Sequence, residues 1–116
     1  FPESICLAQS LIRMGARLIL SPCAWAVPAD YDNEAEPYGA LWLGAYGTLT
    51  RDSNATVIGV SNVGPITAGP WAGRPCIGAS LAMGPGAQVL ARGPYGVAAE
   101  AIVLLEIPPN EASGAH

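Results

Sequence analysis

The fold is decided by the stretch Arg17-Leu18-Ile19-Leu20-Ser21-Pro22-Cys23-Ala24-Trp25-Ala26-Val27-Pro28. Its first half is a short apolar run that follows a helical pattern, which predicts a buried parallel strand over residues 18–20. Pro22 cannot donate a hydrogen bond to a central ladder, so the strand is expected to end there. Ligands of open α/β proteins bind just beyond the carboxyl ends of strands. Cys23 and Trp25 occupy that position, so this strand end is the first candidate for a functional site.

Composition limits the class of protein. The chain has 116 residues, of which 51% are hydrophobic and 12% charged, enough for one domain with one core. A surface so poor in charge predicts that more chain or a partner covers part of it. The net charge is -4, and all five basic residues are scattered arginines, so no nucleic-acid partner is expected.

Cysteine usage and hydropathy bear on the compartment. Three cysteines at irregular spacing do not form a disulfide framework, which favours a reducing, cytoplasmic setting. No apolar run approaches the roughly 20 residues of a membrane span, so no membrane partner is expected. The sequence begins with Phe1-Pro2-Glu3 rather than with methionine, so it is expected to be a piece of a longer chain.

The pattern along the chain predicts a mixed α+β sheet, an α/β class of fold with its helices on one face. Two helices are predicted over residues 1–15 and 38–51, the second weakened by three glycines. A helix that leads into a strand is half of a βαβ unit, so a strand should precede Phe1. Further strands are expected at residues 56–61, 76–83, 88–92 and 98–107, with loops at 29–37 and 65–75 and a flexible tail at 109–116. The domain is therefore placed at residues 1–108.

Cys23 is the obvious candidate nucleophile, but it lacks an activating group. A free thiol has a pKa near 8.5 and needs a base or cation to become a thiolate at neutral pH. The only histidine is His116 in the predicted tail, and the chain has no lysine. A stand-alone thiol enzyme is therefore the weakest hypothesis.

No metal or cofactor is expected. The cysteines lie too far apart for a zinc site, and Cys6 and Cys76 are interpreted as buried apolar residues. The acidic loop at residues 29–37 begins with the spacing of a calcium loop, but Ala35 and Leu41 stand where glycine and glutamate are needed, which favours a solvated loop. Trp25 fits either a core or a pocket wall, and its burial would stabilise the fold by at most about 4–6 kcal/mol.

The first quarter of the chain resembles the carbon–nitrogen hydrolase (nitrilase-like) superfamily. There a catalytic Cys-Tyr-Asp/Glu segment is followed by Phe-Pro-Glu, a helix, Gly-Ala, a strand and Pro-x-Ala-Trp. The matching residues here are Phe1-Pro2-Glu3, Gly15-Ala16 and Ser21-Pro22-Cys23-Ala24-Trp25.

The resemblance continues to about Pro108. Val60-Ser61-Asn62-Val63-Gly64 is similar to the family's strand that ends in Asn-x-x-Gly or Asn-x-Gly. Gly78-Ala79-Ser80, followed by Gly84-Pro85-Gly86-Ala87-Gln88-Val89-Leu90, looks like its Gly-x-Ser, Pro-x-Gly-x-Val hairpin. No single motif decides the matter, but their order and spacing together are fairly specific.

The resemblance implies a four-layer α-β-β-α sandwich and a glutamate, a lysine and a cysteine as catalytic residues. The glutamate acts as base, the cysteine attacks a nitrile, amide or carbamoyl carbon, and the lysine stabilises the developing charge. All three would lie upstream of Phe1, so this chain alone should be inactive. The resemblance places Ala24 and Trp25, beside Cys23, at the wall of the substrate pocket. It also implies a homo-oligomer through the helices at residues 1–15 and 38–51.

Two further predictions accompany this one. A non-catalytic interaction module could use the same half-sandwich, and an intact parent that lacks a catalytic residue would favour it. The isolated chain should also be poorly soluble or self-associating, because the free sheet face and the helices lack their covers.

Overall fold

Two helices and six strands make up residues 5–107, the part of the chain that a computed structural model of the protein describes. Residues 1–4 and 108–116, which include the start of the first predicted helix and the predicted tail, lie outside that part. In chain order the elements are α1 (Ile5–Arg13), β1 (Leu18–Cys23), α2 (Gly39–Thr50), β2 (Thr56–Ser61), β3 (Val63–Pro65), β4 (Pro75–Ile77), β5 (Leu81–Gly84) and β6 (Gln88–Arg92).

The main sheet has four strands in the order β1-β2-β5-β6. β1 and β2 are parallel, whereas β5 is antiparallel to both β2 and β6. A 3-10 turn at Pro85–Ala87 joins β5 to β6, which confirms the predicted hairpin at this point. The predicted mixed sheet with two helices is therefore the fold.

β1 differs from its prediction because it is an edge strand. It is parallel to β2, as expected, but its side chains alternate between half-buried and exposed, and Leu20 is 66% exposed. The prediction of a fully buried strand was wrong, since apolar content alone does not distinguish a central strand from an edge strand whose outer face is uncovered.

Pro22 lies inside β1 rather than at its end. The Thr56 N–H donates to the Arg17 carbonyl and the Asn62 N–H to the Cys23 carbonyl, so odd-numbered residues of β1 point their backbone groups towards β2. Backbone groups alternate in direction along a strand, so the ring nitrogen of Pro22 faces the free edge and breaks no bond of the ladder.

Both helices lie on one face of the main sheet, and the core lies between the helices and this face. Trp42, Tyr46 and Leu49 of α2 contact this face, and Ala8 of α1 joins the same cluster. α2 matches its prediction in extent but is rotated, because Leu41 of the predicted inner face is 51% exposed. The large aromatic rings take the buried side instead.

The predicted strand at residues 76–83 is two strands, and a third short strand, Val63–Pro65, lies just before the predicted loop at 65–75. Gly78 and Ala79 both have positive φ angles of 70° and 57°, which turn the chain between β4 and β5. β4 consequently leaves the main sheet and pairs with β3, while residues 66–74 connect these two strands as a loop.

The predicted last strand at residues 98–107 is absent. The C-terminal segment (residues 99–107) has no ladder partner in the described part of the chain, although its composition is that of a strand. β-Propensity alone does not make a strand, because the ladder needs a neighbour.

No helix within residues 5–107 has both the length and the apolar character to cross a bilayer.

Candidate functional site

Three chain segments are tied together at the carboxyl end of β1. The Ser61 hydroxyl accepts a 2.9 Å hydrogen bond from the Trp25 N–H and donates to the Asn62 carbonyl. The Ser61 N–H in turn donates to the Ser80 hydroxyl at 3.0 Å. The Ile77 N–H donates to the Trp25 carbonyl at 2.9 Å. Trp25 is therefore held through its backbone on both sides, by residues distant in sequence.

The Trp25 side chain is part of the core. It is 5% exposed, and its ring stacks on Trp42 with centroids 4.6 Å apart and planes 12° from parallel. Tyr38 and Tyr46 flank this pair at 6.1 and 6.5 Å from Trp25, and Tyr31 meets Tyr38 edge to face. Of the two interpretations of Trp25, the core is the one that this packing shows among the described residues. Its role in a pocket wall stays a prediction.

A buried phenol lies next to this stack. Tyr46 is fully buried, and its hydroxyl is close to Gly59 of β2, where a Cβ atom would overlap it. Burial raises the pKa of the Tyr46 phenol, the Cys23 thiol raises it further, and a hydrogen bond with Ser21 lowers it. The phenol therefore stays protonated and neutral, as an apolar site requires.

Cys23 is placed as a hydrogen-bond donor. Its half-buried thiol donates to the Ser21 carbonyl at 3.0 Å and lies 3.4 Å from the Ser21 hydroxyl. No side chain with the basicity to take its proton is among these contacts. The described residues also contain no group of three histidine, cysteine or acidic side chains that could hold a metal ion.

The acidic loop is closed by its own hydrogen bonds. The Asp32 carboxylate accepts the N–H of Glu34 at 2.9 Å and that of Ala35 at 3.4 Å. The Asn33 side chain accepts the Tyr38 N–H at the start of α2. This carboxylate and this amide oxygen thus serve the backbone of a solvent-exposed loop, as the mismatched calcium spacing predicts.

Ala24 is exposed next to Trp25, on the rim where β1 ends. The structure thus brings the three predicted pocket residues to one strand end but gives them different surroundings: Cys23 is half-buried, Ala24 faces solvent and Trp25 is in the core. None of the three lines the groove on the sheet face away from the helices or the cavity at the start of α2.

A groove of about 360 Å³ lies on the sheet face opposite the helices. Ile58, Val60 and Ala82 line its floor, and the C-terminal segment (residues 99–107) forms one wall. This groove was not predicted from the sequence. The signal that could have revealed it is the apolar character of both alternating sets of residues in β1 and β2, which indicates a sheet with two faces to cover.

A second cavity of about 240 Å³ lies at the start of α2, between Asn33, Leu43, Arg92 and Tyr95. Desolvation raises the pKa of the Tyr95 phenol, so this hydroxyl is neutral at neutral pH. Arg92 is exposed to solvent where it lines this cavity.

Comparison with known proteins adds no relative. No family model matches the sequence, and no curated protein or solved structure matches it either. The family resemblance therefore remains a prediction that depends on the quoted motifs.

Proposed function

We propose that this chain is the C-terminal part of a carbon–nitrogen hydrolase that acts on a nitrile, amide or carbamoyl compound through a cysteine thioester. The observation that carries the proposal is the free edge of β1, together with the position of α1. In this proposal the catalytic glutamate, lysine and cysteine lie upstream of Phe1, and residues 5–107 supply part of the scaffold.

The handedness of crossovers assigns a place to a strand ahead of α1. β1, α2 and β2 form a parallel crossover, and such units are right-handed in about 98% of cases. α1 lies on the same face of the sheet as α2. A right-handed crossover would therefore put a parallel strand ahead of α1 on the opposite side of β1 from β2, which is the free edge.

That position suits a nucleophile. The carboxyl ends of parallel strands meet at the same edge of a sheet, so the added strand would end beside Cys23, Ala24 and Trp25. The family motif has its catalytic cysteine at the end of this strand, just before Phe-Pro-Glu. The exposed Ala24 would then face the reacting carbon, with Trp25 fixing the rim from the core.

The uncovered surfaces fit the larger assembly that the resemblance implies. Leu20 and Val60, 66% and 58% exposed, lie on the sheet face away from the helices, where the second sheet of a four-layer sandwich would pack. Leu7 of α1, Met14 just after α1 and Leu41 of α2 are exposed on the helical layer, which favours the predicted homo-oligomer contact. The three cysteines are unpaired, in keeping with a cytoplasmic location.

The test uses the intact parent protein. We expect the parent to release ammonia or an amine from at least one member of a panel of nitriles, amides and carbamoyl compounds. The 116-residue chain alone should release none. A parent that lacks a Cys-Tyr-Asp/Glu segment before Phe1, or that is inactive on the whole panel, would contradict the enzymatic proposal and favour the interaction module.

A substitution at Ala24 of the parent, with a matched control, tests the position of the pocket. Ala24→Phe should change the relative kcat/KM among substrates at least tenfold, because a ring at the rim narrows the pocket. Ala72→Phe, at an exposed position of the loop 66–74, is the matched control and should leave the relative kcat/KM among substrates unchanged.

Cys23→Ala in the parent should retain activity, since the Cys23 thiol is not the nucleophile in this proposal. Loss of all turnover in Cys23→Ala, with folding intact, would transfer that role to Cys23.

A further inference from the structure

The cavity at the start of α2 has one charged side chain among the described residues that line it, Arg92. Arg92 lies in the edge strand β6, directly opposite Leu81 of β5. Directly opposed residues of an antiparallel pair share a face of the sheet, and Leu81 belongs to the core beneath the helices. The Arg92 side chain is therefore on the helical face of the sheet, on the side where α2 begins.

This cation has no counter-charge within residues 5–107. The Arg92 side chain forms no ion pair or hydrogen bond with another residue of that range. The acidic loop at residues 29–37 contributes Asn33 and Pro37 to the cavity, but none of its four carboxylates lines it. A guanidinium without a protein carboxylate keeps all five N–H donors for water or a ligand, and its planar fork matches a carboxylate.

The other polar side chains of the cavity are donors as well. The Asn33 side-chain oxygen accepts the Tyr38 N–H at 2.9 Å, which leaves the amide N–H groups to donate. The Ser80 hydroxyl accepts the Ser61 N–H at 3.0 Å and keeps its own O–H. The neutral Tyr95 hydroxyl adds a further O–H donor. The side chains thus offer a cation and several donors, a combination that favours an anion.

We propose that this cavity binds a monocarboxylate with a short apolar chain, whose carboxylate pairs with the Arg92 guanidinium. Pro37, Leu43 and Leu81 supply apolar lining for the chain of the ligand. The volume of about 240 Å³ is below the roughly 300–1,000 Å³ of sites for drug-sized ligands, so a ligand of a few carbon atoms fits. A single cation beside apolar surface favours a carboxylate over sulfate or phosphate, which have more charge and no apolar part.

The first experiment titrates the 116-residue chain with sodium butyrate at constant ionic strength and follows the backbone amide signals by NMR. We expect saturable shifts at Gly39, Ala40 and Gly93, which line the cavity, with a dissociation constant of about 1–10 mM. Butyramide, the uncharged analogue, should bind at least tenfold more weakly. Binding of butyramide as tight as that of butyrate would overturn the role of the charge. Sulfate that binds as tightly as butyrate would overturn the ligand class.

The second experiment repeats the titration with variants. Arg92→Gln should raise the dissociation constant of butyrate at least tenfold. Arg74→Gln, the same change at an exposed arginine outside the cavity, is the matched control and should leave the constant within twofold. Tyr95→Phe should raise the constant at least threefold, because it removes one donor.

The amide spectrum of each variant reports its folding, and the titration of the unmodified chain is decisive by itself if a variant fails to fold. The absence of a saturable shift in the millimolar range would overturn the proposal, as would an Arg92→Gln variant that binds butyrate as the unmodified chain does. Neither experiment depends on ammonia release, so this proposal and the enzymatic one can fail separately.

Discussion

Gly59→Ala should destabilise the fold, because the added methyl group has no space in the core. Gly59 lies in β2 beneath the aromatic stack. An added Cβ atom would overlap the Tyr46 hydroxyl and would lie 3.0 Å from the ring atoms Cζ2 and Cη2 of Trp25. Both rings are buried, at 0% and 5% exposure, so neither can rotate into solvent to make room. The methyl group must therefore displace a packed strand or a packed ring.

The expected cost is about 3 kcal/mol of unfolding free energy. Inserting a methyl group into a well-packed core typically costs roughly 1–3 kcal/mol, and contact with a fixed hydroxyl places this site at the upper end. For a domain of this size the loss corresponds to a fall in the melting temperature of roughly 10–20 °C. Gly44→Ala is the matched control: no atom lies within 4 Å of its added Cβ, so it should stabilise α2 by up to about 1 kcal/mol.

The assay is urea unfolding followed by tryptophan fluorescence, at several protein concentrations so that self-association is separated from folding. The double variant Gly59→Ala/Tyr46→Phe tests the cause, because removal of the hydroxyl removes the atom that the new methyl group overlaps. We expect the second substitution to restore at least 1 kcal/mol relative to the sum of the single effects. A loss below 0.5 kcal/mol in Gly59→Ala, or additive effects in the double variant, would refute the packing described for this strand.

Three further predictions concern single groups. Ser61→Ala should lower the unfolding free energy by about 1–3 kcal/mol, because it leaves the buried Trp25 N–H without its acceptor; urea unfolding measures this, and an unchanged midpoint would contradict it. Because burial raises the pKa of Tyr46 in the folded state, stability should be full below pH 10 and fall above it, by up to about 1.4 kcal/mol per pH unit, as the unfolded phenol ionises first. Tyr46→Phe should flatten that alkaline slope, and an equal slope in both proteins would count against the buried phenol. Arg74→Gln removes an exposed cation 4.7 Å from the Trp71 ring and should cost no more than about 1 kcal/mol by the same assay, so a larger loss would mean a packing role for this arginine.

The elements that the sequence predicted well are those whose pattern is local. The β-branched run at Thr56–Ser61 became β2 at the predicted residues, and the helix predicted at 38–51 is Gly39–Thr50. The turn after Gly84 joins two antiparallel strands, as its glycine and proline content indicated. The pattern that predicts each of these elements lies within a dozen residues, although β2 also depends on its ladders with β1 and β5.

The features that the sequence did not predict depend on neighbours distant in the chain. The split between β4 and β5 follows from the positive φ of Ala79, a residue type that gives no sign of it. Residues 98–107 have the composition of a strand, but strand formation also depends on a partner that composition does not identify. At the candidate site, the strand-end rule located Cys23 to Trp25. It could not foresee that Trp25 stacks on Trp42, because that contact depends on how α2 is rotated over the sheet.

Pro22 limits how far a neighbouring strand can extend a hydrogen-bonded ladder along the free edge of β1. A strand added at the free edge can bond to the N–H groups of Leu18 and Leu20, but it meets no donor at Pro22. Beyond that residue the two backbones are free to diverge. A cleft that opens at this point would have the exposed Ala24 on one side and the last residue of the added strand on the other. The missing donor at Pro22 thus separates the paired part of such a ladder from the part where the two strands diverge.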